Sequence, residues 1–301
     1  MPAPTLKSRF LLSKTKKSLF GVTLFFLFIL LSPAAAFPSD WIQLKSEHFI
    51  VNFLGQEKFA KEILDKAENY YRNIASDLGY ARYSDFWTWD NRVNIYIYRN
   101  HADYLKATGY PEWSHGMADY KNKSIISYEF SEHFMDGLLP HELTHLTFRD
   151  FVGFKGEVPL WLDEGVAQWE EPQKKNHLKE MVKYLYDKGT ITPLTLMMEI
   201  DVRKIKNDEQ VKVQQQSQDG IEGKVLALTG DEFVSLYYLQ SMTMVGFLIE
   251  TYGSLSFADF CRELRDGGSL DNALKSAYGT RIPDIKTLEE KWRAYLKGLH
   301  P

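Results

Sequence analysis

Apolar positions along this chain of 301 residues switch between two repeats. From Glu47 to Phe53 they alternate with polar ones, as in a strand with one face covered. From Gln56 to Leu78 the repeat lengthens to that of a helix. Phe59, Ile63, Ala67, Tyr70, Tyr71 and Ile74 make one broad stripe, and Gly79 stops it. Alternation returns over Arg92–Tyr98 through Val93, Ile95 and Ile97. Met117–Tyr120 and Ser124–Tyr128, split by Lys121-Asn122-Lys123, read as a hairpin. The first half therefore predicts a small sheet with a covering helix.

The second half reads as helical. One helix is expected from about Leu138 to Arg149, then a loop at Gly153–Gly156 and a second helix ending near Pro172. Further helices are expected near His177–Lys188, Glu232–Tyr252, Ser256–Arg265, Ser269–Ala277 and Ile285–Leu299. Between them Asp201–Gly223 is polar and glutamine-rich, and reads as a solvated loop in preference to a catalytic lid. The pattern gives an α+β fold of two lobes with a cleft between them: a small mixed sheet followed by a mostly helical lobe. Its expected divisions are a leader at 1–36, a sheet-containing part at 37–136, two site helices at 137–172 and a helical lobe at 173–301.

The leader changes the picture of where the protein works. Lys7, Arg9, Lys14, Lys16 and Lys17 precede an apolar run from Leu19 to Leu31, and Ala34-Ala35-Ala36 offers a small-residue cleavage site. The run is shorter than the roughly 20 apolar residues of a membrane-spanning helix. A cleaved signal peptide and export are expected, with a retained anchor as the alternative. The formal charge of −4 becomes −9 once those five basic residues leave, and no basic patch suggests nucleic acid. Cys261, the lone cysteine, can form no intrachain disulfide and reads as a small buried apolar residue.

The chemistry is concentrated in Leu139-Pro140-His141-Glu142-Leu143-Thr144-His145 and, after 18 intervening residues, Glu164. Two histidines four apart on a helix lie on one face, one turn apart, and can share a zinc ion. Glu164 can complete a set of two imidazoles and one carboxylate, leaving a position open. Glu142 projects beside them, where it can take a proton from an attacking water. The other histidines, among them His115 and His133, read as packing or surface residues. Trp87, Trp89, Trp113 and Trp169 read as core or cleft wall.

These residues resemble the gluzincin metallopeptidases, the group that contains thermolysin and the aminopeptidase N family. Trp161-Leu162-Asp163-Glu164-Gly165-Val166-Ala167 resembles the Trp-Leu-Asn-Glu-Gly-Phe-Ala of the aminopeptidase N branch, with Asp163 in place of its asparagine. Ser46-Glu47-His48-Phe49, Trp113 with Gly116-Met117-Ala118, and Tyr238-Leu239-Gln240-Ser241 resemble peptidase MA-like domains, so that the likeness spans about Trp41 to Leu296. It implies a thermolysin-like fold with one zinc per chain held by His141, His145 and Glu164, and Glu142 as general base. It implies Tyr238 as a donor to the oxyanion, with Tyr237 as competitor. It also implies an edge strand above the metal, placed at Ser124–Tyr128, that pairs with a peptide or protein substrate.

Gly116-Met117-Ala118-Asp119-Tyr120 departs from the Gly-x-Met-Glu-Asn element that holds a free amine in aminopeptidases, which leans towards endopeptidase action. Gln168 or Asp163 is expected to orient a metal-binding imidazole. The rival reading is a zinc-stabilised peptide-binding module of the cell envelope without catalysis, and a second is a tethered assembly factor that keeps its leader.

Overall fold

Strands β1 (Ile42–Lys45), β2 (Phe49–Phe53), β3 (Val93–Tyr98), β4 (Gly116–Asp119) and β5 (Ser124–Tyr128) form one sheet in the order β1-β2-β3-β5-β4. The computed structural model describes residues 41–299, apart from 81–86, 111, 113, 132, 155–157, 189–190, 207 and 215–224. The expected leader and Trp113 lie outside the described residues. Strands β2, β3 and β5 run parallel to one another, while β1 and β4 close the two borders antiparallel. A parallel centre needs cover on both faces. Val93, Ile95 and Ile97 turn under helix α1 (Glu57–Asp77), while Tyr98 and Ile126 meet Tyr104 of α2 (His101–Thr108) on the other face. Asn100 caps α2 by accepting from the Asp103 amide, a short helix the apolar pattern does not reveal.

The border strand differs from the expectation. Strand β5 lies between β3 and β4, paired on both sides, so Ser124–Tyr128 is an interior strand and Gly116–Asp119 is the edge. Every residue of β5 is buried, whereas all four of β4 are half-buried. Gly116 lets β4 approach the next segment, because a Cβ there would come 2.2 Å from Leu138 Cδ2.

That segment is a single π turn, Phe134–Leu138, which leads into α3 (Leu139–Val152). Tyr70 of α1 donates to Met135 O at 3.0 Å, and Lys66 pairs with Asp136, so α1 fixes the turn. Pro140 falls in the first turn of α3, where its missing N–H costs least, and Gly153 ends the helix with a positive φ. Then come α4 (Leu160–Trp169), α5 (Pro172–Asn176), α6 (Leu178–Lys188) and α7 (Leu194–Glu199). The expected polar loop contains a strand, β6 (Gln210–Gln214), which pairs antiparallel with β7 (Val225–Thr229) just beyond the loop. Val211 and Val213 are buried between Gln210, Lys212 and Gln214, so the strand alternation was present but concealed by the polar composition.

The long helix α8 (Gly230–Tyr252) opens with a capping box between Thr229 and Glu232 and is buried on most sides. Helices α9 (Ser254–Arg265), α10 (Leu270–Tyr278) and α11 (Ile285–Leu299) pack around it. One apolar core runs from Phe49 beneath the sheet through Leu143 and Leu162 to Trp292. Cys261 is buried in it, and burial pushes its thiol well up. Trp87 and Trp169 are core residues as expected, but Trp89 is 80% exposed in a short 3-10 turn. Among the described residues no helix is long and apolar enough to cross a membrane.

Candidate metal centre

Helix α3 presents His141 and His145 one turn apart, with Nε2 atoms 3.1 Å from each other. Glu164 Oε2 on α4 lies 3.8 Å from the first and 3.9 Å from the second. The point equidistant from these three atoms is about 2.1 Å from each, inside the roughly 2.0–2.2 Å range of zinc bonds to nitrogen and carboxylate oxygen.

The outer nitrogens explain why the inner ones converge. His145 Nδ1 donates to Asp163 Oδ1 at 2.9 Å, and His141 Nδ1 donates to Glu171 Oε1 at 2.8 Å. With both Nδ1 atoms committed as donors, the two neutral imidazoles aim lone pairs at one point beside a carboxylate. Such an arrangement repels itself unless a cation or proton sits between. The donor set therefore fits a divalent ion, and two imidazoles with one carboxylate suit zinc.

Charge around the histidines is tightly held. Asp163 also accepts from Arg149, whose guanidinium lies 4.7 Å over the Tyr120 ring, and that ring meets His145 edge-on at 6.3 Å. Glu171 also accepts from Lys174 at 2.7 Å, and the same amine reaches Gln168 Oε1 at 2.8 Å. Burial works against charging His145, but Asp163, then Glu164 and Glu142, outweigh it and raise its pKa to about 9 in the metal-free protein. Burial would likewise raise Asp163 and Glu171. The imidazoles they accept from, with Arg149 and Lys174, hold both below the usual carboxylate range.

Glycine positions α4. A Cβ on Gly165 would stand 2.7 Å from Ser241 O and 2.9 Å from Val245 Cγ2, so α4 and α8 touch backbone to backbone directly beside Glu164. One turn further along, Trp169 fills the space above Gly246. This close approach puts Tyr237 and Tyr238 near Glu164. Burial first and that carboxylate second raise the hydroxyl of Tyr238 to about 12 and push Tyr237 still higher. Tyr237 is 2% exposed, whereas Tyr238 keeps part of its surface open.

Of the residues singled out in the sequence, His141, His145 and Glu164 come together, with Glu142 half-buried on the same helix. Asp163 takes the orienting role expected of it or Gln168, while Gln168 turns to Lys174. His115 stacks on His101 and bonds Tyr128 at 2.5 Å, and His48 pairs with Glu68, so neither joins the triad. Three residues beside the triad escaped the sequence reading: Glu171, Arg149 and Tyr120. Arg149 was legible, being one turn beyond His145 on the same face. Nothing in the spacing of His141 and Glu171 foretold their bond.

Residues 227–298, from β7 to near the end of α11, match the family profile of the Peptidase MA superfamily. That segment includes Tyr237 and Tyr238 but none of His141, Glu142, His145 and Glu164, so it supports the family resemblance independently of the metal-binding pattern. Among solved structures, an M1 zinc metallopeptidase mutant from Deinococcus radiodurans is similar at 12% identity and a TM-score of 0.43, over 84% of this chain and 50% of its own. The chain thus spans about half the length of that structure. No curated protein sequence matches the chain.

Proposed function

We propose that the protein is an exported zinc-dependent peptidase. The observation that carries this reading is the convergence of His141 Nε2, His145 Nε2 and Glu164 Oε2, with both outer imidazole nitrogens tied to carboxylates. The Peptidase MA segment supports it from elsewhere in the chain. His141, His145 and Glu164 hold one zinc. When bound, the ion lowers the pKa of a water and polarises the scissile carbonyl. Glu142 accepts the water's proton during attack and delivers it to the leaving nitrogen. Tyr238 donates to the developing oxyanion, and its high pKa keeps the phenol protonated for that purpose. The border strand β4, not β5, offers main-chain groups to an extended peptide. The substrate is a peptide or protein, and the absence of the amine-holding element favours cleavage within the chain.

Metal content of the chain from Phe37 onward tests the site. About one zinc per chain, lost in His145→Ala, is expected. Glu142→Gln should keep the zinc and lower peptide hydrolysis by about 10²–10⁴-fold. A chain that takes up no zinc would end the reading. If Glu142→Gln retained the biological role, the peptide-binding module would replace the enzyme.

A further inference from the structure

The border strand β4 delivers to the metal centre one side chain that the reaction steps leave unused. Tyr120 follows Asp119 directly, and its backbone is held on both sides. Asp119 pairs with Ser124 across the sheet, and its carboxylate accepts from the amides of Lys121 and Asn122 at 3.0 and 3.1 Å. The Tyr120 ring meets His145 edge-on at 6.3 Å, with the Arg149 guanidinium 4.7 Å over the ring. Arg149 is itself held by Asp163, the acceptor from His145, so ring, cation and imidazole form one fixed group. Even so, Tyr120 stays 44% exposed, and among the described residues its hydroxyl makes no hydrogen bond. Burial and then Glu142 push that phenol up, in keeping with a ring set beside the general base.

A rigid aromatic ring left open beside a metal site has surface to offer a ligand. An extended peptide laid along β4 sends alternate side chains to either face, so one of the residues at the metal places its side chain by the end of the strand. Charge on that side chain is opposed whichever its sign. Glu142, Asp163 and Glu164 lie around the ring and repel an acid, while Arg149 against the ring repels a base. A flat neutral group stacks on the ring without that cost. On the peptidase reading, on which this inference rests, we propose that Tyr120 determines specificity. With Arg149 it forms the wall that receives an aromatic side chain of the substrate, next to the bond that is cut. The substrate class is then peptides with phenylalanine, tyrosine or tryptophan at the cleavage point.

Binding without catalysis is measured first. The zinc-loaded chain from Phe37 onward is titrated by calorimetry with two hydroxamic acids, which ligate zinc and differ only in carrying a benzyl or a methyl side chain. The benzyl compound should bind about tenfold more tightly. Tyr120→Ala should keep its zinc and bind the two compounds about equally, whereas Tyr120→Phe should keep the preference, because the ring and not the hydroxyl carries it. Should Tyr120→Ala fail to fold or lose its zinc, Tyr120→Leu, which keeps apolar bulk without a ring, decides in its place. A zinc-loaded parent that binds the two compounds equally, or binds neither, overturns the proposal, as does a folded variant without the ring that keeps the preference. Hydrolysis of matched peptides with phenylalanine or alanine on either side of the cut is measured second, as kcat/KM. Cleavage with no preference for phenylalanine overturns the aromatic wall and leaves the peptidase reading in place. A benzyl preference that depends on Tyr120, in a protein that cleaves no peptide, supports the wall and ends the peptidase reading.

Discussion

Asp163 does two jobs at one side chain: it accepts from His145 Nδ1 and it neutralises Arg149. Asp163→Asn keeps the shape and removes the charge, so zinc affinity should fall by about 10–100-fold, as read by competition with a chromophoric chelator. The charge of Asp163 also makes zinc uptake depend on pH. In the metal-free protein His145 holds a proton up to about pH 9, and zinc must displace it. Apparent affinity should therefore rise about tenfold per pH unit below 9 and level off above it. A flat profile between pH 6.5 and 9 would show that no such proton is released. At this scale the convergence of His141, His145 and Glu164 was readable from the sequence, because these residues follow helix spacing and a fixed downstream interval. Glu171 was not, because a tertiary turn brings it back to His141.

The element that sets the site is the contact of α4 with α8, where Gly165 leaves no room for a side chain against Ser241 and Val245. Gly165→Ala should force the helices apart and cost about 1–3 kcal/mol by thermal unfolding. Zinc affinity should fall with it, since Glu164 rides on the displaced helix. An alanine variant as stable and as zinc-avid as the parent would show that the helices do not meet this closely. The role of this glycine could not be seen from the sequence. The string Trp161–Ala167 announces a helix and a carboxylate, but a glycine inside a helix has a reason only when its neighbour is known. The hairpin β6–β7 was missed on similar grounds, since its buried valines are too few to outweigh the glutamines around them. The long helices α1, α8, α9, α10 and α11 were legible because their apolar stripes run for several turns. The border of the sheet was not, since β4 and β5 have comparable patterns and pairing alone decides which is outermost.

For the molecule as a whole, charges buried away from the metal shape its response to pH. Burial raises Glu170 to about 8; Lys175 draws it down in part, and Asp77 pushes it up again. The folded protein thus keeps a proton that the unfolded chain releases above about pH 4.5. This contribution to stability is complete below that pH and is lost as pH rises through about 8. Metal-free protein should melt a few degrees lower at pH 8 than at pH 5.5, and Glu170→Gln should reduce the difference to the share that His145 adds. A variant with the same slope would assign it to other groups. The opposition of His141 and His145 at 3.1 Å has a further consequence for assembly. A proton that His145 Nε2 donates to His141 Nε2 would draw them together much as an ion does. Such a proton would be a placeholder, giving the pocket its shape by hydrogen bonding before any ion arrives. A chain that meets zinc only after folding can exchange one positive guest for another without first coming apart.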